Sequence, residues 1–175
     1  MTVEPFFRAP PGFEAEFAET GGDALATECF INYGLLAGGV LAAMDDLIVR
    51  GGAPSGAAFN VLAVLDGAGQ PLNPSTIAER LLVSRATTTG VVDSLERRGL
   101  VRRTKGQDDG RTRLVALTAK GRRVARRLVP EVHRFERDVM AGLTPAEQRR
   151  LLQLLAKLQA HFPTVAPNSR LATPG

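Results

Sequence analysis

Apolar residues recur every three or four positions along most of the chain, which is the period of an α-helix. This spacing predicts helices over residues 23–50, 55–65, 74–82, 85–98, 118–142 and 144–162. Two shorter apolar segments, residues 100–103 and 112–117, predict a pair of strands, because Gly106, Asp108, Asp109 and Gly110 between them are typical of a turn. The predicted fold is mainly α with a small β-hairpin wing.

Local signals fix several helix ends. Asn73 precedes Pro74 as an N-cap, Ser84 can cap the next helix, and Gly99 follows that helix in the position of a left-handed C-terminal residue. The two short helices on either side of Ser84 therefore form a helix-turn-helix. Because a β-hairpin comes directly after it, residues 55–117 are predicted to be a winged helix-turn-helix.

Charge is distributed unevenly. Residues 97–127 contain 12 lysines and arginines and two aspartates, whereas the remaining 144 residues contain 10 basic and 16 acidic residues. A basic block in an otherwise acidic chain indicates a polyanionic partner, because clustered cations displace the counterions of phosphates. A solvated, arginine-rich surface would give the same pattern.

Composition excludes several classes of protein. A chain of 175 residues can bury one sizeable core. We expect no apolar run to approach the roughly 18 residues of a membrane span, and we therefore expect a cytoplasmic protein that binds no membrane. Glu4 and the acidic residues after it argue against an export signal. No motif of a known enzyme class is present, and we predict no catalytic residue, metal site or cofactor.

The helix that follows Ser84 is the candidate DNA-reading element. Thr88, Val91, Val92 and Leu95 should face the core, which leaves small residues on the outer face that let a helix backbone enter a major groove. In the hairpin, Arg111 is the candidate for insertion into a narrow minor groove. The predicted DNA-binding residues are Ser84, Arg85, Thr87, Thr89, Arg97, Lys105, Arg111 and Arg113.

Three short motifs in this order resemble one known family. They are Leu95-Glu96-Arg97-Arg98-Gly99-Leu100-Val101, Asp109-Gly110-Arg111 and Leu117-Thr118-Ala119-Lys120-Gly121. Over about residues 24–162 the chain resembles the MarR family of bacterial winged-helix regulators. The resemblance implies a homodimer whose first and last helices interlock, binding to pseudo-palindromic double-stranded DNA, and release by a small-molecule effector or by cysteine oxidation.

With this resemblance the chain divides into four regions. Residues 1–22 form an irregular N-terminal arm, residues 23–54 and 118–162 the helical dimerisation region, residues 55–117 the winged helix-turn-helix, and residues 163–175 a tail. The arm is longer than the family pattern needs, and Gly38 and Gly39 lie in the helix that usually lines the ligand cleft. The expected function is a DNA-binding regulator, most simply a repressor.

Two sensor hypotheses remain open at this stage. Tyr33 and Ala37 are the candidate ligand-binding residues, which rests on the family resemblance alone. Cys29 lies four residues before Tyr33 and invites comparison with peroxide-sensing members, but its sequence neighbours carry no cation to lower a thiol pKa. We therefore expect a buried, unreactive cysteine. The alternative to a DNA-binding regulator is an interaction module, a winged helix that binds protein or RNA without specific DNA binding.

Overall fold

The computed structural model describes residues 4–12, 17, 19–105 and 113–166. The helices are α1 (Ala24–Arg50), α2 (Gly56–Ala68), α3 (Pro74–Leu81), α4 (Arg85–Arg97), α5 (Ala119–Met140) and α6 (Pro145–Val165), and the strands are β1 (Val101–Lys105) and β2 (Arg113–Leu117). The predicted fold class, mainly helical with a winged helix-turn-helix, is confirmed.

Polar side chains cap the N-terminal ends of these helices, among them the predicted caps Asn73 and Ser84. The side chains of Asn73, Ser84, Thr118 and Thr144 each accept a hydrogen bond from a backbone N–H in the first turn of their helix. The predicted end of the second helix was wrong, because that helix runs through Gly67 to Ala68 and only Gly69 adopts the left-handed conformation, with φ 66°. The last helix also runs three residues past residue 162, to Val165.

The chain divides into two compact units, Met1–Asp46 and Leu47–Gly175, and the boundary falls inside α1. The second unit contains the hydrophobic core. Helix α2 is central there, since it packs against α3, α4, β2 and α5. Its buried side chains belong to one continuous core, whose fully buried members include Leu62, Ile77, Leu95, Leu100 and Leu128.

The wing is an antiparallel pair in which Val101 lies opposite Leu117, Arg103 opposite Val115, and Lys105 opposite Arg113. The segment before α3 extends this pair, because Leu72 and Val115 exchange two backbone hydrogen bonds of 3.0 and 2.8 Å. Strand β2 therefore has backbone partners on both sides, β1 on one and Leu72 on the other. Thr118, which follows β2, donates its hydroxyl to the carbonyl of Gly99 at 2.7 Å and so closes the base of the hairpin.

The first unit contains the N-terminal arm and most of α1. Asn32 of α1 contacts the arm at two points, because its side-chain oxygen accepts from the backbone N–H of Phe7 at 3.0 Å and its side-chain nitrogen donates to the carbonyl of Phe7 at 2.8 Å. One turn earlier, the Glu28 carboxylate accepts from the backbone N–H of Ala9 at 2.6 Å. The arm, predicted to be irregular, therefore follows a defined path between residues 7 and 9.

Two helices leave large apolar surfaces uncovered by their own chain. Helix α6 buries none of its residues, and Ile48 is the one residue that α1 buries within the single chain. Exposed apolar side chains on α1 and α6 include Leu25, Phe30, Leu36, Leu41, Leu152, Leu158 and Val165. Exposed apolar area of this kind is typical of a surface that contacts another molecule.

The expectation about apolar runs was wrong. Within the residues that the structure describes, α1 is long and apolar enough to cross a membrane by length and composition. Its window of span length tolerates Glu28 and Asn32 because the alanines and large apolar residues around them keep the mean hydropathy high. One such helix near the N-terminus is weak support for a span, since core helices of other proteins and signal sequences share this composition.

Candidate nucleic-acid interface

Helix α4 separates its side chains into a buried and an exposed face. Thr88, Val92 and Leu95 are buried, as predicted, whereas Val91 is only half-buried. Ala86 and Gly90 lie on the exposed face. A helix with small residues outward can approach the floor of a DNA major groove closely, because no long side chain keeps its backbone away.

The hydroxyl groups at the start of α4 have local partners that limit what they can do. Ser84 Oγ accepts from the backbone N–H of Thr87 at 3.1 Å and lies 2.8 Å from Thr87 Oγ1, so these two residues form the N-cap. Thr89 Oγ1 donates to the carbonyl of Arg85 at 2.9 Å. Because its proton is donated to this carbonyl, the Thr89 hydroxyl can only accept a further hydrogen bond. It can therefore bind the amino group of a base, which donates, better than a phosphate oxygen, which only accepts.

The predicted cations lie at several places around this helix. Arg85 is exposed at its N-terminal end, Arg97 is exposed at its C-terminal end, and Arg113 is exposed at the first position of β2. Lys105 belongs to β1, but its side chain lies outside the described residues, and so does the whole of Arg111. The most compact part of the predicted site is the six-position segment 84–89, which contains Ser84, Arg85, Thr87 and Thr89.

Sequence reasoning missed the ion pairs that join the wing to α4. Arg103 of β1 binds two carboxylates of α4, with its guanidinium 2.5 Å from Asp93 Oδ1 and also bonded to Glu96 Oε2. Its backbone N–H donates to Glu96 Oε1 at 3.0 Å. The hydrogen bond to Asp93 raises the pKa of Arg103 most, and the interactions with Glu96 add to this against the opposing effect of burial.

A signal for this contact was present in the sequence but was not used. Asp93 and Glu96 are the acidic residues of α4, and a helix that approaches DNA needs its carboxylates neutralised. Arg103 follows Glu96 by seven residues, across a tight turn at Gly99. Any cation early in the first strand was therefore a candidate partner.

A small cavity lies next to the helix-turn-helix. Its volume is about 60 Å³, and its lining includes Asn60 of α2, Val83 of the turn, and Thr87 and Val91 of α4. Sites for cofactors and drug-sized ligands are typically about 300–1,000 Å³. The cavity is too small for such a ligand, but it explains why Val91 is not fully buried.

The sensor candidates belong to α1. Tyr33 is exposed and Ala37 is half-buried, one turn apart on the helix. Cys29 is exposed, so the expectation of a buried cysteine was wrong for the single chain. The reason is that Cys29 lies on a part of α1, beside exposed Phe30 and Tyr33, that the chain leaves open. In the described part of the chain, no group of three or more metal-ligating side chains is assembled.

Comparison with known proteins agrees with this geometry. The MarR family model matches residues 54–112, which include α2, α3, α4 and β1. The chain belongs to the MarR family. The regulator PecS of Dickeya dadantii is 32% identical over 106 residues, which are 59% of this chain and 64% of PecS. The match therefore covers slightly less than two thirds of this curated MarR relative.

Two solved structures extend the likeness over more of the chain. The PcaV transcriptional regulator from Streptomyces coelicolor, in complex with its natural ligand, is 31% identical with a TM-score of 0.58, and the match covers 71% of this chain and 89% of PcaV. CouR from Rhodococcus jostii RHA1, bound to p-coumaroyl-CoA, is 25% identical with a TM-score of 0.63, and the match covers 81% of this chain and 97% of CouR. Both likenesses include more of the chain than the MarR family model does.

Proposed function

We propose that this MarR-family chain is a homodimeric, sequence-specific DNA-binding repressor that a small-molecule ligand releases from its operator. The observation that carries the proposal is α4, a helix capped by Ser84, small on its outer face, and preceded and followed by the other parts of a winged helix. The PecS relative is named as a transcriptional regulator of the helix-turn-helix type, which supports the same function.

DNA contact is supported by the distribution of charge in the second unit. Arg85, Arg97 and Arg113 are exposed, and the carboxylates of Asp93 and Glu96 are both engaged by Arg103. The exposed cations therefore dominate the surface around α4. Phosphate contacts of this kind fix the position of the helix, while Ala86, Thr89 and Gly90 lie where base edges can be read.

A homodimer is supported by the exposed apolar faces of α1 and α6. For a protein proposed to bind a two-fold DNA site, a second copy of the same chain is the simplest partner for these apolar faces. Two recognition helices about one DNA turn apart then read a pseudo-palindrome. Helices α1 and α6, whose apolar faces are exposed, are the first and last helices that the family resemblance implies will interlock.

A small-molecule effector is supported by the ligand-bound structures of PcaV and CouR. In this chain the proposed ligand-binding residues are Tyr33 and Ala37 of α1. Tyr33 offers an aromatic face and a hydroxyl group, a combination suited to an aromatic ligand with a polar substituent. The 60 Å³ cavity beside α4 is not the proposed effector site.

The deciding experiment is a fluorescence-anisotropy titration of the protein with the intergenic DNA upstream of its own gene. We expect tight binding that is lost on a scrambled duplex of equal length. The logarithm of the binding constant should fall linearly with the logarithm of the salt concentration, with a slope of about −0.9 for each phosphate neutralised. Arg85→Ala should lower that slope by about one, whereas Arg149→Ala in α6 serves as a charge-matched control and should leave it unchanged. Weak binding that ignores sequence would favour a winged helix that binds protein or RNA.

A second candidate mode of release is oxidation of Cys29, which is favoured by the exposure of that thiol four residues from Tyr33. If peroxide abolishes DNA binding of the wild type and Cys29→Ser resists it, the protein is a redox sensor. If both proteins respond alike, Cys29 has no part in release, and the ligand-binding proposal stands alone.

A further inference from the structure

Helix α4, which is the element proposed to enter DNA, carries two carboxylates. Over Arg85–Arg97 the charges of Asp93 and Glu96 balance those of Arg85 and Arg97, so the helix has no net charge of its own. Unpaired carboxylates at this position would repel the phosphate backbone. A helix that carries both carboxylates into DNA therefore needs a cation of its own chain to pair with them.

Arg103 of β1 occupies both carboxylates at once. One terminal nitrogen of its guanidinium lies 2.5 Å from Asp93 Oδ1, and the other binds Glu96 Oε2. The backbone N–H of the same residue donates to Glu96 Oε1 at 3.0 Å. The Arg103 side chain is 25% exposed, whereas those of Asp93 and Glu96 are 43% and 38% exposed, so solvent partly screens the contact and its geometry matters more than its charge.

The position of Arg103 makes this contact a link between two elements. Arg103 is the central residue of β1, opposite Val115 of β2, and Val115 is bonded on its other side to Leu72. The contact therefore joins the middle of the wing to the middle and last turns of α4. This link is additional to the covalent connection through Gly99, where the chain turns with φ 67°, and to the hydrogen bonds that Thr118 and Leu72 make at the base of the wing.

We propose that Arg103 is a positioning residue that fixes the wing on the recognition helix α4, so that both elements bind one DNA half-site in a single register. The inference rests on the proposed DNA-binding function. Its consequence is that the base preference in the flank of the half-site, which the wing reads, depends on Arg103, although Arg103 holds carboxylates of its own chain and not DNA.

The chemistry of the contact requires arginine. A planar guanidinium can bind two separate carboxylates through its two terminal nitrogens, whereas a lysine ammonium is a point charge on a flexible stem. Arg103→Lys keeps the charge but should hold one carboxylate at a time. We expect this variant to keep most of its affinity and to show a weakened preference in the flank.

The test is selection of binding sites from a pool of random duplexes by the wild type, Arg103→Gln and Arg102→Gln. Arg102 is the neighbouring exposed cation on β1, so its variant has the same change in charge without loss of the link. We expect the wild type and Arg102→Gln to select a two-fold core with a flank preference. Arg103→Gln should select the same core without that preference and bind about tenfold more weakly. An unchanged flank preference in Arg103→Gln overturns the inference.

A triple variant separates positioning from simple neutralisation of charge. Asp93→Asn and Glu96→Gln, added to Arg103→Gln, remove the exposed negative charges but do not restore the link. If affinity rises while the flank preference stays lost, Arg103 positions the wing; if both return, Arg103 acts only by neutralisation and the inference is wrong. Should Arg103→Gln fail to fold by circular dichroism, Glu96→Gln alone weakens the link and is compared in the same way. A wild type that selects no sequence instead refutes the proposed function itself.

Discussion

Leu82 is held in a conformation that leucine rarely adopts. It ends α3 with φ 53° and ψ 41°, and its side chain is 90% exposed. The left-handed region is costly for residues with a Cβ, and glycine or asparagine usually occupies it. Because the exposed side chain contributes almost no burial, the strain at this turn has no compensation from packing.

Replacing Leu82 with asparagine should therefore stabilise the protein. We expect Leu82→Asn to raise the free energy of unfolding by about 0.5 kcal/mol, since asparagine tolerates this conformation and little apolar contact is lost. Urea denaturation followed by circular dichroism measures the change. Leu82→Ala is the matched control, because alanine lacks the polar side-chain groups through which asparagine stabilises the left-handed conformation by local hydrogen bonds, so no gain is expected from it.

Gly121 occupies a position where only glycine fits, because the backbone of another element lies close to it. A Cβ at this position would lie 1.9 Å from the carbonyl oxygen of Leu100. Gly121→Ala must push α5 away from the base of the wing, and we expect it to lower the free energy of unfolding by about 1–3 kcal/mol. The same denaturation experiment measures it.

Gly67 supplies the control for that prediction. It is a helical glycine with no atom within 4 Å of an added Cβ, so Gly67→Ala should stabilise α2 by about 0.5–1 kcal/mol. Equal effects of the two substitutions would contradict the close approach between α5 and Leu100.

These residues show which parts of the fold could be predicted. The caps at Asn73, Ser84, Thr118 and Thr144 depend on side chains within a few positions of the helix start, so the sequence displays them directly. The need for Gly121 depends on Leu100, which is distant along the chain. The strain at Leu82 could not be predicted, because neither glycine nor asparagine stands at that position to indicate a left-handed residue. The link through Arg103 was missed for the same reason, because it forms between elements.

At the scale of elements, α6 depends on its first turn. The N–H and hydroxyl of Thr144 both donate to the Glu147 carboxylate, at 2.8 and 2.7 Å, and Thr144 caps the helix in return. These hydrogen bonds, the side-chain one foremost, lower the pKa of Glu147 below its ordinary value of 4.5. The ionised form is therefore the one that stabilises the folded state.

The pH dependence of this cap follows from the direction of the shift. A lowered pKa means that the contribution is complete above about pH 4.5 and is lost as the pH falls through the lower value of the folded state. Glu147→Gln should lower the melting temperature near neutral pH, and the difference from the wild type should shrink in acid. A difference that stays constant down to pH 2 would show that the carboxylate charge has no part in the cap.

At the scale of the whole molecule, the two exposed helices govern assembly. Leu152 is 66% exposed and Leu158 is 59% exposed in the single chain, whereas Leu155 is half-buried against its own chain. Leu152→Asp should therefore dissociate the proposed dimer, because it places a charge in an apolar contact. Sedimentation velocity should show a monomer of 18.7 kDa, and the variant should no longer bind a palindromic duplex tightly in the anisotropy titration.

The control for this prediction is Gln153→Asp, which adds the same charge to an exposed polar position of α6. It should leave both mass and DNA binding unchanged. A monomeric Leu152→Asp that still binds the palindrome tightly would contradict the proposed architecture. The apolar composition of α6 could be read from the sequence, but its complete lack of burial could not, since that depends on what the rest of the chain leaves uncovered.

The contact between Asn32 and the arm has a consequence for how this protein can change. Both hydrogen bonds reach the backbone of Phe7 and neither reaches its ring. Any amino acid at position 7 offers the same two groups except proline, which lacks the N–H. Mutation can thus alter what the arm displays while its route along α1 stays the same, so new ligand or partner preferences could evolve there without redesign of the fold.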